Sequence, residues 1–356
     1  MNRQTLGFKE DYEANLVKYL EQPKYSKCVP ARVTLEHKHS YRVVSEEGEW
    51  LASVAGKYAY ESISREDYPA VGDWVLVEKM PGEERAIIHE LFPRFSKFSR
   101  KVAGEQIAEQ IVASNVDLLF LVMSLNADFN VRRIERYLVA AWDSGATPVV
   151  ILTKADLCTD VLGYVGQLEN SVMGVDVHIV SAFTGEGIED VKALLSEGVT
   201  GALLGSSGAG KSTLINAICE SEIMKVSDIR EDDAKGRHTT THRELVMLPS
   251  GGCLIDTPGM RELQLWDQSE SVSSGFQDIA LLAEQCFYRD CTHVKEPRCA
   301  VNQAVEDGSL EAARLKSYFK LQKELAYIER KTNTQEKLAE QKKWKQLSKG
   351  AKRKNR

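Results

Sequence analysis

Apolar positions along the chain change their period several times, and each change marks a different kind of element. Residues 11–21 space their apolar side chains for a short amphipathic helix. From Ala31 to about Leu91 the pattern shifts to short alternating stretches, such as residues 31–35 (Ala-Arg-Val-Thr-Leu) and 74–78 (Trp-Val-Leu-Val-Glu). Turn signals at Glu47-Gly48 and Val71-Gly72-Asp73 separate them, a rhythm that predicts a small β-barrel of OB type. After a basic stretch from Arg94 to Lys101 come continuous apolar runs at 117–123 and 148–152, each bounded like a strand buried on both faces. A third strand is expected at 175–180 and a fourth at 199–204. Helical spacing fills the intervals at 131–143 and 187–195, and a helix follows from Lys211 to Cys219. Strands alternating with helices predict a mostly parallel α/β sheet. Beyond Gln268 the chain reads as mainly helical, with a helix from Leu310 to Ile328. That helix carries Tyr318, Leu321, Leu325 and Ile328 on one side and Leu315 near the edge, a stripe expected to dock on the module before it.

Three sequence motifs place chemistry on this frame. Gly205-Ser206-Ser207-Gly208-Ala209-Gly210-Lys211-Ser212, followed by Thr213, is a full P-loop pattern. Its glycines let backbone N–H groups close around phosphates, and the helix that follows turns its positive end toward them. Lys211 is expected to neutralise the β- and γ-phosphates and Ser212 to hold Mg²⁺. Asp256, which ends an apolar strand in Ile255-Asp-Thr-Pro-Gly259, is expected to reach Mg²⁺, and the Gly259 amide to contact the γ-phosphate. Thr153-Lys154-Ala155-Asp156 is the guanine reader: the Asp156 carboxylate accepts from the guanine ring N–H and amino group together, a pair adenine does not present. Lys154 lays its stem across the base. Thr153 stands where Asn is usual, which removes one side-chain amide contact. Ser181-Ala182, about one βα unit later, completes the pocket.

These elements stand in a rotated order. The base-reading TKAD and SA segments precede the P-loop, the Thr239-Thr240-Thr241 segment and DTPG, where an ordinary GTPase has them last. Permutation of this kind leaves a folded site intact, and it feeds the switch after Gly259 straight into the C-terminal part. Among the threonines Thr240 is the first choice to complete the Mg²⁺ shell, with Thr241 second. The position after DxxG holds Met260, which does not orient water, so slow intrinsic turnover and activation by a partner are expected. His238 either positions the attacking water or is a solvent-exposed loop histidine.

Composition narrows the setting. The chain has 356 residues, 43% hydrophobic and 28% charged, which suits two or three soluble domains. No apolar run approaches the roughly 18 residues that span a bilayer, and residues 1–18 lack a signal peptide's apolar core, so a cytoplasmic address is expected. Cys28, Cys158, Cys219 and Cys253 are isolated in sequence and read as small buried hydrophobes. Cys286, Cys291, His293 and Cys299 crowd together, and three thiolates with one imidazole suit a closed, structural tetrahedral Zn²⁺ site. Net charge is −6, yet residues 342–356 carry only basic charge, a tail suited to nucleic acid. Trp344 within it stacks or packs. Arg94, Lys97, Arg100 and Lys101, interleaved with Phe95 and Phe98, are a second basic surface, although rings in such a pattern more often serve packing.

TKAD, SAFTGEGI, GSSGAGKST, GRHTTTHREL, DTPGMREL and the cysteine cluster, in this order behind a barrel-like segment, resemble the circularly permuted ribosome small-subunit-dependent GTPase A family (RsgA, also called YjeQ) along essentially the whole chain. The resemblance implies a monomeric cytoplasmic factor in late maturation of the small ribosomal subunit, with contact to its 16S rRNA and GTP hydrolysis stimulated by that subunit. The expected layout is an N-terminal extension at 1–28, an OB-fold barrel at 29–100 and a circularly permuted α/β P-loop GTPase domain at 101–268. A helical zinc-binding domain at 269–340 and a basic tail at 341–356 follow. Competing readings are a GTP-responsive binding switch with negligible turnover, an ATP-dependent P-loop enzyme such as a small-molecule kinase, and a permuted GTPase of the large subunit. Asp156 argues against the second, and the barrel-first layout with its cysteines against the third.

Overall fold

Strand alternation closes the barrel first. In the computed structural model, which describes residues 2–37, 40–62, 64–101, 109–168, 172, 174–221, 243–256, 276–323 and 326, five strands form it. They are β1 (Cys28–His37), β2 (Ser40–Ser45), β3 (Gly48–Val54), β4 (Trp74–Lys79) and β5 (Arg85–Leu91), joined in the order β1-β2-β3-β5-β4. Helix α1 (Glu10–Leu20) precedes them and the short α2 (Gly56–Glu61) follows β3. The β3–β5 pairing is parallel and the others antiparallel, the Greek-key closure expected of an OB-like barrel. One face of the alternation fills the interior with Val33, Tyr41, Val43, Trp50, Val75 and Ile88. The opposite face of β1 and β4, with Trp74 and Leu76, is covered by Leu6, Phe8, Tyr12, Leu16 and Tyr25 from the N-terminal segment.

A hairpin of β6 (Lys97–Lys101) and β7 (Glu109–Ser114) leads from the barrel to the sheet. Then come β8 (Leu118–Ser124), α3 (Val131–Ser144), β9 (Thr147–Thr153), α4 (Val161–Leu168), β10 (Asp176–Ile179), α5 (Ile188–Leu194), β11 (Thr200–Leu204) and α6 (Lys211–Cys219). Strands β12 (Leu245–Met247) and β13 (Cys253–Asp256) complete it. The sheet runs β10-β9-β8-β11-β13-β12 and is parallel except for β12 against β13. Strands β8, β9, β11 and β13 are almost wholly buried, whereas β10, expected as a further buried strand, is a half-exposed edge. Asn130 caps α3 by accepting from the Arg133 N–H at 3.1 Å, and Gly145, at φ 81°, ends it.

Barrel and sheet belong to one compact unit, and a buried guanidinium sits at their junction. Arg32 of β1 donates to the carbonyls of Gly72 (3.2 Å), Asn115 (3.1 Å) and Leu6. Gly72, at φ 97°, lies so close to the Ser114 carbonyl that a Cβ has no room there. Leu35 of β1 bridges to Glu244, whose carboxylate also accepts from Arg42 at 3.0 Å. Within the basic stretch before the sheet, Arg94 and Phe98 serve the fold, whereas Lys97 is half-exposed. Arg94 pairs with the fully buried Asp73 at 2.6 Å, Lys97 lies 3.5 Å from Glu66, and Phe98 is buried. The Arg100 and Lys101 side chains lie outside what is described.

The second unit holds α7 (Gln277–Ala283), α8 (Ala300–Glu306) and α9 (residues 312–323) around the cysteine cluster. Helix α9 begins two residues later than the apolar spacing suggests, and Leu325 and Ile328 lie outside the described residues. It docks on α7 through more than its apolar stripe: Arg314 donates twice to Asp278, at 2.5 and 2.7 Å, and Tyr318 meets Phe276 edge-on at 5.5 Å. Among the described residues no helix is long and apolar enough to cross a membrane. The basic tail, Trp344 included, falls outside the description.

Candidate functional site

The carboxyl ends of β8, β9, β11 and β13 converge on one edge of the sheet, where open α/β folds bind ligands. The P-loop leaves β11 there. Gly205 packs so tightly under the Val122 carbonyl that no side chain fits, and Gly208 and Gly210 take left-handed backbone at φ 84° and 90°. Such turns aim successive N–H groups into one concavity and suit an anion. Ser207 and Gly208 are exposed at its rim, Ala209 is buried beneath it, and Ser212 and Thr213 lie in the first turn of α6. Lys211 is 7% exposed, and its Nζ donates to the Gly205 and Ser206 carbonyls at 2.7 and 2.8 Å. Burial pulls its pKa down to about 8, partly opposed by Asp256. Asp256, 2% exposed at the end of β13, is raised by the same desolvation and lowered by Lys211. A buried cation that rests, among the described residues, on two carbonyls beside a buried carboxylate is a donor set fitted to a phosphate and its divalent metal.

The TKAD and SA segments abut this loop. Lys154 turns the chain at the end of β9 in left-handed backbone, φ 63°. Asp156 is exposed, and its Oδ1 accepts from the Ser181 hydroxyl at 2.6 Å, which orients the carboxylate. Ala182 follows, half-buried. The Thr153 hydroxyl donates to the Ala209 carbonyl at 2.6 Å, so this residue ties the TKAD turn directly to the P-loop. Spacing alone missed one further group. The Ser206 hydroxyl donates to Asp128 at 2.6 Å, and Arg133 clamps Asp128 with two contacts at 2.8 and 3.1 Å. The available signal was the position of Asp128 just beyond buried β8, on the ligand-binding edge. His238, Thr239, Thr240, Thr241, Gly259 and Met260 lie outside the described residues.

The cysteine cluster assembles as its spacing suggested. The ligand atoms of Cys286, Cys291, His293 and Cys299 all lie within 4.8 Å of one another. The Cys286 and Cys299 sulfurs are 3.8 Å apart, and His293 Nδ1 is 3.6 and 3.4 Å from them. A tetrahedron with Zn–S bonds of about 2.3 Å has edges of about 3.8 Å, so the donor set fits zinc without rearrangement. Burial disfavours the Cys286 thiolate, but N–H groups of Val301 and Ala300 and the neighbouring thiols outweigh it and hold its pKa below the ordinary thiol value. Burial also lowers His293 and keeps it in the neutral, ligating form.

P-loop, base reader and buried carboxylate on one sheet edge, in rotated sequence order, define a circularly permuted P-loop GTPase. The RsgA GTPase family model matches residues 91–266. A curated relative from Oceanobacillus iheyensis, small ribosomal subunit biogenesis GTPase RsgA 1, is 49% identical over 89% of this chain and 91% of its own. RsgA 2 of Lactiplantibacillus plantarum is 46% identical over 88% and 90%. The crystal structure of YjeQ from Thermotoga maritima superposes with a TM-score of 0.63 at 29% identity, covering 84% of this chain and 99% of that one. YloQ, described as a circularly permuted GTPase, gives 0.61 at 25%, covering 86% and 97%. The chain belongs to the RsgA GTPase family and is a GTP-hydrolysing enzyme. An ABC transporter model also matches residues 188–356, a span that contains the P-loop but not TKAD.

Proposed function

We propose that this GTPase works in the cytoplasm as a monomer, binds the small ribosomal subunit through its 16S rRNA and assists late maturation of that subunit. The observation that carries the reading is the Ser181-oriented Asp156 carboxylate, tied through Thr153 to the P-loop of a chain whose relatives are named for small-subunit biogenesis. Asp156 selects guanine, with Lys154, Ala155, Ser181 and Ala182 shaping the base pocket. The amides of residues 205–213 receive the phosphates, and Lys211 exchanges its two carbonyl partners for phosphate oxygens. Ser212, Asp256 and Thr240 hold Mg²⁺, which when bound neutralises charge that develops on the β- and γ-oxygens. Gly259 senses the γ-phosphate, and His238 orients the attacking water. Zinc at Cys286, Cys291, His293 and Cys299 is structural, because four protein ligands leave no open position.

Since Met260 follows the DxxG element, turnover by the free protein is slow and the subunit supplies what is missing. The test is GTP turnover by the chain alone, with small subunits and with large subunits, at two salt concentrations. A rise of about 10²-fold or more with small subunits only, weakened by salt, is expected. Flat turnover with both subunits while GTP still binds would show a non-hydrolysing switch instead.

A further inference from the structure

Cys28 is isolated in sequence but not in space. It opens β1 and pairs in register with Glu78 of β4, while β5 lies on the other side of β4. The β4–β5 ladder slips between Leu76 and Val77, so that Leu76 faces Glu90 while Val77 faces Ile88, and His89 is the extra residue. Such a bulge re-aims a side chain. Here it brings the imidazole to Glu78, with His89 Nε2 and a Glu78 oxygen 3.2 Å apart. The Cys28 sulfur, the Glu78 carboxylate and the His89 ring nitrogen all lie within 4.8 Å of one another. Cys28 is buried, whereas Glu78 and His89 are half-buried.

We propose that Cys28, Glu78 and His89 form a second transition-metal site, one that takes a borderline divalent cation of the zinc class on the outer face of the barrel and completes its shell with water. The donor set is one sulfur, one nitrogen and one oxygen, each a ligand zinc accepts. For bonds of about 2.0–2.1 Å, the nitrogen–oxygen edge of a tetrahedron is about 3.3 Å, close to the 3.2 Å seen between His89 and Glu78. The ligands come from three neighbouring strands, so the backbone ladder already fixes their spacing. The thiol yields its proton to solvent as the metal–sulfur bond forms, and the imidazole binds neutral. Around the site, the Tyr25 ring is tilted 56° to His89 with centroids 6.0 Å apart, and Lys24 is taken up by the Tyr25 hydroxyl at 2.7 Å and by Glu90 at 4.0 Å. Of the three ligands His89 also borders a cavity of about 590 Å³, which Tyr25, Tyr58, Glu90 and Arg94 line with it.

The experiment is a Co²⁺ titration of the tag-free full-length chain, stripped of metal and kept reduced, followed by thiolate-to-cobalt absorption. The expected result is two steps: a strong one from the three-cysteine cluster, then a weaker one of about a third the intensity, since it involves one sulfur. Cys28→Ser and, as a less buried alternative, His89→Ala should each remove the second step or weaken it about tenfold or more, and leave the first intact. Cys286→Ser should do the converse. A single cobalt step in the unaltered chain, or a second step undiminished in both barrel variants, would overturn the proposal. Because the readout is metal binding, it is independent of GTP turnover.

Discussion

At the scale of single residues, Lys211 has the most direct consequence. Its pKa of about 8 in the folded chain stands against an ordinary 10.5. Below about pH 8 it is charged in both folded and unfolded chains, and the folded one bears the desolvation, a penalty of about 3 kcal/mol. Between about pH 8 and 10.5 only the unfolded chain keeps the proton, so this group makes stability rise with pH across that window. Bound phosphate reverses the balance by restoring the charge. GTP binding should therefore take up a proton above pH 8, with affinity flat below pH 7 and falling above 8. Calorimetry at pH 8.5 in two buffers of different ionisation heat measures this directly, and equal heats would refute it. Thr153 belongs to the same scale. In place of an amide it presents a hydroxyl that donates to the Ala209 carbonyl, so the substitution keeps a link between base reader and P-loop.

At the scale of elements, the barrel is fastened to the sheet by one side chain more than by any surface pair. Arg32 serves three carbonyls from three segments, a geometry that the planar guanidinium matches and a lysine does not. Arg32→Met should cost about 2–3 kcal/mol, read as a lower urea midpoint, because carbonyls are left without a donor. Arg32→Lys should not restore it. The exposed Arg42–Glu244 pair, by contrast, is worth at most about 1 kcal/mol. Strands β8, β9 and β11 were legible because burial on both faces writes an unbroken apolar run, and the P-loop because its glycines answer to backbone need. Arg32 was not legible: alternation shows which face a residue occupies, but not that a charge on that face meets backbone carbonyls. The Cys28, Glu78 and His89 grouping was hidden for a related reason, since it depends on strand register and a one-residue bulge. Ser206 and Asp128 meet across a crossover, which local spacing does not encode.

At the scale of the whole molecule, two units rest on different kinds of cohesion. The first has a large apolar core beneath the sheet, while the second gathers its helices around four side chains placed so that they could ligate a metal. A zinc-selective chelator, with Mg²⁺ kept in excess, should then unravel the second unit, seen as new protease cleavage within residues 276–323, while the first still binds GTP. Simultaneous loss of both would contradict this. The sheet order also bears on how the chain is made. Strand β11 lies between β8 and β13, yet it is synthesised well after β8, and β13 follows later still. A chain emerging N-terminus first folds its barrel and base reader early and then waits with one edge of β8 bare. That edge is sealed only when the phosphate-binding half leaves the exit tunnel. Permutation thus makes phosphate binding, rather than base reading, the late event in the protein's own synthesis, and the unfinished sheet offers a bare edge to strand-pairing partners during the interval.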